Sequence, residues 1–243
     1  MFSKSQIKLI TSLAQKKYRG QHQLFLAEGK KVISELLEST IYLEALYTTE
    51  DVFNTDKEKT FVMKEADLKK ISQLKTPQTA VGVFHIPDQE FPKGAGLRLV
   101  LDGIRDPGNL GTIIRLCDWF GVEQLICSQD SVDCFNPKVV QASMGSIARV
   151  PVVYTDLPVF LRKNISSQVI GAFMEGENIY STNLPPEGIL VMGNEANGIS
   201  GEVEKLVSKK IAIPQFGKLR ETESLNVATA TAIFLSEFRR SSV

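Results

Sequence analysis

The sequence predicts an α/β protein: a mostly parallel sheet with helices on both faces, preceded by a smaller α/β domain. Three observations carry that prediction. From residue 97 onward, short aliphatic or β-branched runs alternate with helical patterns, the order that parallel βαβ units require. Before residue 88 a shorter mixture of strand and helix patterns stands by itself. Between them Pro87-Asp88-Gln89-Glu90-Phe91-Pro92-Lys93-Gly94-Ala95-Gly96 breaks every period, with two prolines and two glycines in ten residues. The expected organisation is a first domain over residues 1–87, a linker over 88–96 and a second domain over 97–243.

In the first domain, Ile7, Ile10, Leu13 and Ala14 recur at helical spacing within residues 5–19, with lysines between them. Residues 28–37 form a second short helix pattern with Val32, Ile33, Leu36 and Leu37 on one face. Residues 41–48 and 60–63 read as strands, 66–74 as a helix and 80–86 as a strand. In the second domain the strand runs are 97–101, 124–127, 150–154, 169–173, 189–192 and 211–213. Helices are expected near 109–120, 136–144, 156–163, 201–208 and 226–240.

Composition sets bounds on function. Of 243 residues, 43% are hydrophobic and 23% charged, as in an ordinary globular protein, and the length suits one large or two modest domains. No apolar run reaches the roughly 18 residues of a membrane span. Cys117, Cys127 and Cys134 lack C-x-x-C spacing, and His22 and His85 are the only histidines. That inventory argues against a structural zinc site and for reduced thiols in the cytoplasm. The formal net charge is zero, yet residues 1–31 carry Lys4, Lys8, Lys16, Lys17, Arg19, Lys30 and Lys31 against Glu28 alone. Such a cluster suits either phosphate neutralisation or a solvated helix face.

Three segments stand out because each runs from a strand into a Gly- or Asn-bearing loop, where α/β domains place ligands. They are Leu101-Asp102-Gly103-Ile104-Arg105-Asp106-Pro107-Gly108-Asn109-Leu110-Gly111-Thr112-Ile113-Ile114-Arg115, then Leu190-Val191-Met192-Gly193-Asn194-Glu195-Ala196-Asn197-Gly198-Ile199-Ser200, and Ile213-Pro214 followed by Ser224-Leu225-Asn226-Val227. On a helix starting near Asn109, the residues Ile113, Leu116, Cys117 and Phe120 share the face toward the sheet. Arg115 falls on the opposite face with Thr112 and Trp119, close enough to Trp119 to stack on it. Gly193 and Gly198 permit a ligand's close approach to backbone amides, and Leu190, Met192, Ile199, Ile213 and Leu225 supply aliphatic walls. Ser200 fits an N-cap, as does either Ser224 or Asn226 before the last helix. Neither a G-x-G-x-x-G fingerprint nor a P-loop occurs.

Taken in this order, the three segments resemble the motifs of the SpoU/TrmH branch of the SPOUT family of RNA 2′-O-methyltransferases. Phe25-Leu26-Ala27-Glu28-Gly29-Lys30 resembles the start of that family's RNA-binding domain. The resemblance implies a C-terminal trefoil knot, S-adenosylmethionine as cofactor, no metal, and a homodimer. It implies cofactor contacts from Leu190, Met192, Gly193, Asn194, Gly198, Ile213, Leu225 and Asn226. The catalytic set it implies is Asn109, Arg115, Glu195, Ser224 and Asn226. Arg115 would stand at the reacting 2′-hydroxyl, as base or as fixed positive charge, and Glu195 would hold Arg115 or an asparagine. Lys16, Lys17, Arg19, Lys30 and Lys31 become candidate RNA contacts, with ribosomal RNA expected before transfer RNA. A binding-only RNA protein that keeps the fold is the other reading. The stretch Lys218-Leu219-Arg220-Glu221-Thr222-Glu223, between Gly217 and Ser224, makes the third motif longer than is usual in the family.

Overall fold

The structure is a computed structural model that describes residues 3–74, 76–88, 96–164, 166–217 and 224–240. Most of the expected linker and the stretch 218–223 lie outside the described residues. In chain order the elements are α1 (Lys4–Ser12), α2 (Lys16–His22), β1 (Leu24–Glu28), α3 (Lys30–Leu37), β2 (Leu43–Thr48), β3 (Thr60–Val62), α4 (Glu65–Leu68) and β4 (Ala80–His85). There follow β5 (Leu97–Asp102), α5 (Pro107–Trp119), β6 (Gln124–Ser128), α6 (Pro137–Ser143), β7 (Val152–Thr155), α7 (Leu157–Lys163), β8 (Val169–Asn178), β9 (Gly188–Gly193), α8 (Gly201–Glu204), β10 (Lys209–Ala212) and α9 (Val227–Arg239). Short 3-10 turns occupy Ser146–Ala148 and Ile179–Ser181.

The chain forms two compact units: Met1–Asp88 with Asp133–Arg149, and Gln89–Val132 with Val150–Val243. The second stretch of the first unit, carrying α6, is inserted between β6 and β7, and its packing against β1 is not visible in the sequence pattern. The Phe135 ring sits 4.8 Å from that of Phe25 on β1. The first unit is a sheet of order β1-β4-β2-β3, with β4 antiparallel to both β1 and β2. Its core gathers Ile10, Leu13, Leu26, Leu68, Ile71 and Val83.

Two expectations for this unit change. The single helix over residues 5–19 is two helices, because Gln15 takes an extended backbone (φ −100°, ψ 134°) between them; the Leu13 and Ala14 carbonyls, left free at the break, accept from Arg19 Nη1 at 2.8 and 2.9 Å. Leu24–Glu28, which has no alternation to mark it, is a strand buried along its whole length. Strands covered on both faces lose the two-residue period that makes them legible.

The second unit is a six-stranded, fully parallel sheet of order β10-β8-β9-β5-β6-β7. Every expected strand is present. Three helices after β5 open in the same way, with an acidic or amide cap before a proline in the first turn. Asp106 accepts from the Asn109 amide, Asn136 (in the insert) likewise caps Lys138, and Asp156 caps Val159. The strand order reverses beside β5: β6 and β7 build to one side, β8 and β9 to the other. That reversal leaves a crevice at the carboxyl ends of the strands.

Candidate active site

The crevice is a cavity of about 1200 Å³, above the roughly 300–1,000 Å³ of ordinary small-molecule pockets. Its floor is the end of β9, and one wall is the stretch 213–217 after β10 with Ser224 and Leu225. The other wall comes from the end of β8, where Phe173 and Met174 meet Lys210 of β10. β8 and β10 change register between Lys210 and Ile211, so residues 172–176 leave regular pairing and swing toward the cavity.

The loop after β9 turns back on itself. Asn194 and Gly198 exchange backbone hydrogen bonds of 2.9 and 2.8 Å, and the Asn194 side chain accepts from the amides of Ala196 and Asn197. Gly198 takes φ of +67°, the left-handed region that favours glycine. Gly193 is required for a different reason: a β-carbon there would run into the backbone of Gly198 and Ile199. Asn194 Nδ2 donates to the Gly103 carbonyl at 2.6 Å, tying this loop to the one after β5. Ser200 does precede α8, but its side chain makes no cap; its amide donates to the Asp102 carboxylate at 2.8 Å instead.

Beside the cavity three side chains from three separate segments join. Asn226 caps α9, its Oδ1 accepting from Ala228 and Thr229 at 3.0 and 3.2 Å. Its Nδ2 therefore points away from the helix and donates to Asn109 Oδ1 at 2.9 Å. Asn109 Nδ2 in turn donates to Glu195 Oε1 at 2.6 Å. The choice between Ser224 and Asn226 as cap is thus Asn226, and Glu195 holds an asparagine.

Arg115 lies on the same helix as Asn109, exposed, and makes no hydrogen bond or ion pair among the described residues. Trp119 is 83% exposed, with no ring contact to Arg115 among those residues. The helix starts at Pro107 rather than Asn109, and it buries Leu110, Gly111, Ile113, Ile114 and Cys117. Leu116 and Phe120, expected on that face, are only half-buried, because α9 also packs on α5 and shifts the buried stripe. The three cysteines are buried, and burial pushes the thiols of Cys117 and Cys127 up, which leaves them inert as nucleophiles.

Of the expected cofactor residues, Met192, Gly193, Asn194, Gly198, Ile213 and Leu225 line the cavity, as do Glu195 and Ser224. Leu190 does not. It is fully buried within the sheet between Leu99 and Ile170. The wall formed by Phe173, Met174, Glu175 and Phe216 was not singled out from sequence; the only signal was an unusual strand carrying Gly171 and Gly176.

Among the expected RNA contacts, Lys16, Lys17, Lys30 and Lys31 are exposed. Arg19 is a correction. It is 2% exposed, and its guanidinium is spent on Leu13, Ala14 and an ion pair with Asp133 of the inserted stretch. Glu28, in the segment that resembles the RNA-binding domain, is also buried. It accepts from the Ser72 hydroxyl and the Gln73 amide at 2.6 and 2.7 Å.

With this geometry in place, the similarities to known proteins are specific. Residues 96–236 match the SpoU rRNA Methylase family, and residues 4–82 match the MRM3-like substrate binding domain. The chain is 30% identical over 239 residues to the 23S rRNA (guanosine(2553)-2′-O)-methyltransferase of Bacillus subtilis, covering 92% of each. Among solved structures, a TrmH-family protein from Porphyromonas gingivalis aligns over 99% of both chains at 40% identity and a TM-score of 0.91. An AdoMet-bound rRNA methyltransferase from Sinorhizobium meliloti aligns over 100% of this chain and 98% of that one, at 29% identity and a TM-score of 0.88. The match covers the three motif segments and the cavity between them: the chain belongs to the SpoU rRNA methylase family.

Proposed function

We propose that this protein transfers a methyl group from S-adenosylmethionine to a ribose 2′-hydroxyl of ribosomal RNA. The observation that carries the reading is the Asn226–Asn109–Glu195 chain of hydrogen bonds beside a cavity of backbone and aliphatic walls. Backbone groups of the Gly193–Gly198 loop and the 213–217 stretch suit the edge of an adenine, while Met192, Ile213 and Leu225 suit its faces. The fit is supported by Gly193, where the fold excludes even a β-carbon and keeps the loop's backbone at the cavity. When bound, the cofactor supplies an activated methyl carbon on a sulfonium, so no metal is needed.

The residues of the chain then have positioning and charge to supply. Asn226 fixes the carboxamide of Asn109, and Asn109 fixes the Glu195 carboxylate. Arg115 presents a fixed positive charge to the 2′-oxygen as it becomes negative, a role suited to a guanidinium that keeps its proton. Lys16, Lys17, Lys30 and Lys31 of the first unit neutralise RNA phosphates. A second copy of the chain covers the exposed Trp119, and the working form is a homodimer. The names of the relatives, among them a 23S rRNA enzyme aligned over 92% of its length, favour ribosomal over transfer RNA.

The test is methyl transfer from labelled S-adenosylmethionine to unmodified RNA by the wild type and by Arg115→Ala. Label at one alkali-resistant site, lost by about 10²–10³ in rate for the variant with poor rescue by lysine, is the expected result. Cofactor binding with no transfer to ribosomal or transfer RNA would favour a binding-only protein.

A further inference from the structure

The loop between β5 and α5 holds a second arginine, and everything around it is locked. The Gly103 amide donates to Ser128 Oγ at 2.8 Å, and the Ile104 amide to Ser131 Oγ at 3.1 Å. The Ile104 carbonyl accepts from the Val132 amide at 2.8 Å, and its side chain is fully buried. The Gly103 carbonyl accepts from Asn194, and Asp106 caps α5. Gly103, Ile104 and Asp106, on either side of Arg105, are thereby fixed to β6, the second motif and the helix. Arg105 alone projects from them, 72% exposed in its side chain.

Its one contact among the described residues is Nη2 to Asp130 Oδ2 at 3.4 Å, long for a hydrogen bond. Asp130 is itself fixed, because the Ser128 hydroxyl donates to its Oδ1 at 2.7 Å. Since that uses the only proton Ser128 has, Ser131 donates to Ser128 across their 2.9 Å contact. The Ser128 hydrogen bond first, and then Arg105, hold the Asp130 carboxyl below the usual carboxylate range. The carboxylate thus orients the guanidinium from one side and leaves Nε and Nη1 unengaged among the described residues.

We infer that Arg105 is a phosphate contact for the RNA backbone at the methyl-transfer site, oriented by Asp130 through Ser128 and Ser131. The inference rests on the RNA reading proposed above and adds a residue to it. A guanidinium matches the planar geometry of a phosphate, and the fixed backbone on either side sets where this side chain starts. It stands four residues before Asn109 and two after Gly103, whose carbonyl accepts from the Asn194 side chain, in the loop that follows the carboxyl end of β5 where the substrate must arrive. Every RNA sequence has the phosphate it would contact, so Arg105 adds affinity and register rather than base choice.

The experiment compares wild type, Arg105→Gln and Arg105→Lys for methyl transfer to unmodified ribosomal RNA across a salt series, with cofactor binding measured by calorimetry. For Arg105→Gln the RNA KM is expected to rise about tenfold, the loss of one charge-assisted contact. The slope of log KM against log salt should fall by about one. Cofactor affinity and the single-turnover rate at saturating RNA should match wild type. Arg105→Lys should restore the slope and only part of the affinity. An unchanged KM and slope in Arg105→Gln, with the wild type active on RNA, would overturn the inference, as would a loss confined to cofactor affinity. An inactive wild type would instead sink the RNA reading itself.

Discussion

Asn109 donates to Glu195 across 2.6 Å, joining the helix after β5 to the loop after β9, residues 86 positions apart in the chain. Among the described residues, neither side chain has a partner on its own segment that would fix it so. Asn109 can present its nitrogen to Glu195 because its oxygen is already committed to Asn226.

Asn109 and Glu195 should therefore act as a unit. Asn109→Ala and Glu195→Ala are each expected to slow single-turnover methyl transfer, and the double variant to be little slower than the worse single one. A coupling of about 0.5–3 kcal/mol is the range for residues in direct contact. Rates that multiply independently would show that the contact has no part in turnover. The global stability of either variant should change little, since the bond is solvent-exposed.

The two glycines of the second motif should respond differently to the same substitution. Gly193→Ala drives a methyl group into the Gly198–Ile199 backbone and should abolish cofactor binding by opening the loop. Gly198→Ala meets no atom within 4 Å and pays only for its left-handed φ, about 1–2 kcal/mol. Gly198→Asn should be milder still. Calorimetric titration of S-adenosylmethionine separates the two, and equal effects would contradict the close-approach argument.

Arg19 should be a stability residue. Removing it leaves the part-buried Asp133 without its ion-pair partner, at a cost of up to about 3–5 kcal/mol, the range for a fully buried pair. Urea unfolding of Arg19→Met should show a loss of that order, with the protein that remains folded binding RNA as the wild type does. A normal midpoint together with weakened RNA binding would return Arg19 to the basic surface.

Glu28 gives a pH dependence of defined sign. Burial, its largest influence, raises its carboxyl above the ordinary 4.5 and outweighs the hydrogen bonds from Ser72 and Gln73 that favour the charged form. The folded state therefore binds the proton more tightly than the unfolded chain. The associated stability is present in full below about 4.5, the unfolded value, and is lost as pH rises through the higher folded one. Urea midpoints measured across that window should carry this falling contribution in the wild type, and Glu28→Gln should lack it. Identical pH profiles would refute the assignment.

Much of the second unit was readable in one dimension, and the reason is local. Strands Leu97–Asp102, Gln124–Ser128 and Gly188–Gly193 are short, mostly apolar runs, and the caps Asp106 and Asp156 each precede a proline by one or two residues. The motif segments were legible too, Gly193, Gly198 and Asn226 as short-range requirements of turns and a helix start, Asn109 through resemblance to the family's first motif. Arg19 was misread as surface and Leu190 as cavity wall for the opposite reason: exposure depends on what arrives from elsewhere in the chain. Arg19 is buried by Asp133, 114 residues away, and Leu190 by two neighbouring strands.

The sequence by itself determined most of the element types, the two-part composition and several of the residues around the cavity, since these follow from periodicity, capping or glycine geometry within a few positions and from motif resemblance. Only the tertiary structure decided that residues 133–149 return to the first unit, that β8 leaves its register to wall the cavity, and that Asn226, Asn109 and Glu195 meet. Those outcomes depend on long-range packing and on hydrogen bonds between segments with no shared local pattern, so they exist only once the chain has closed on itself.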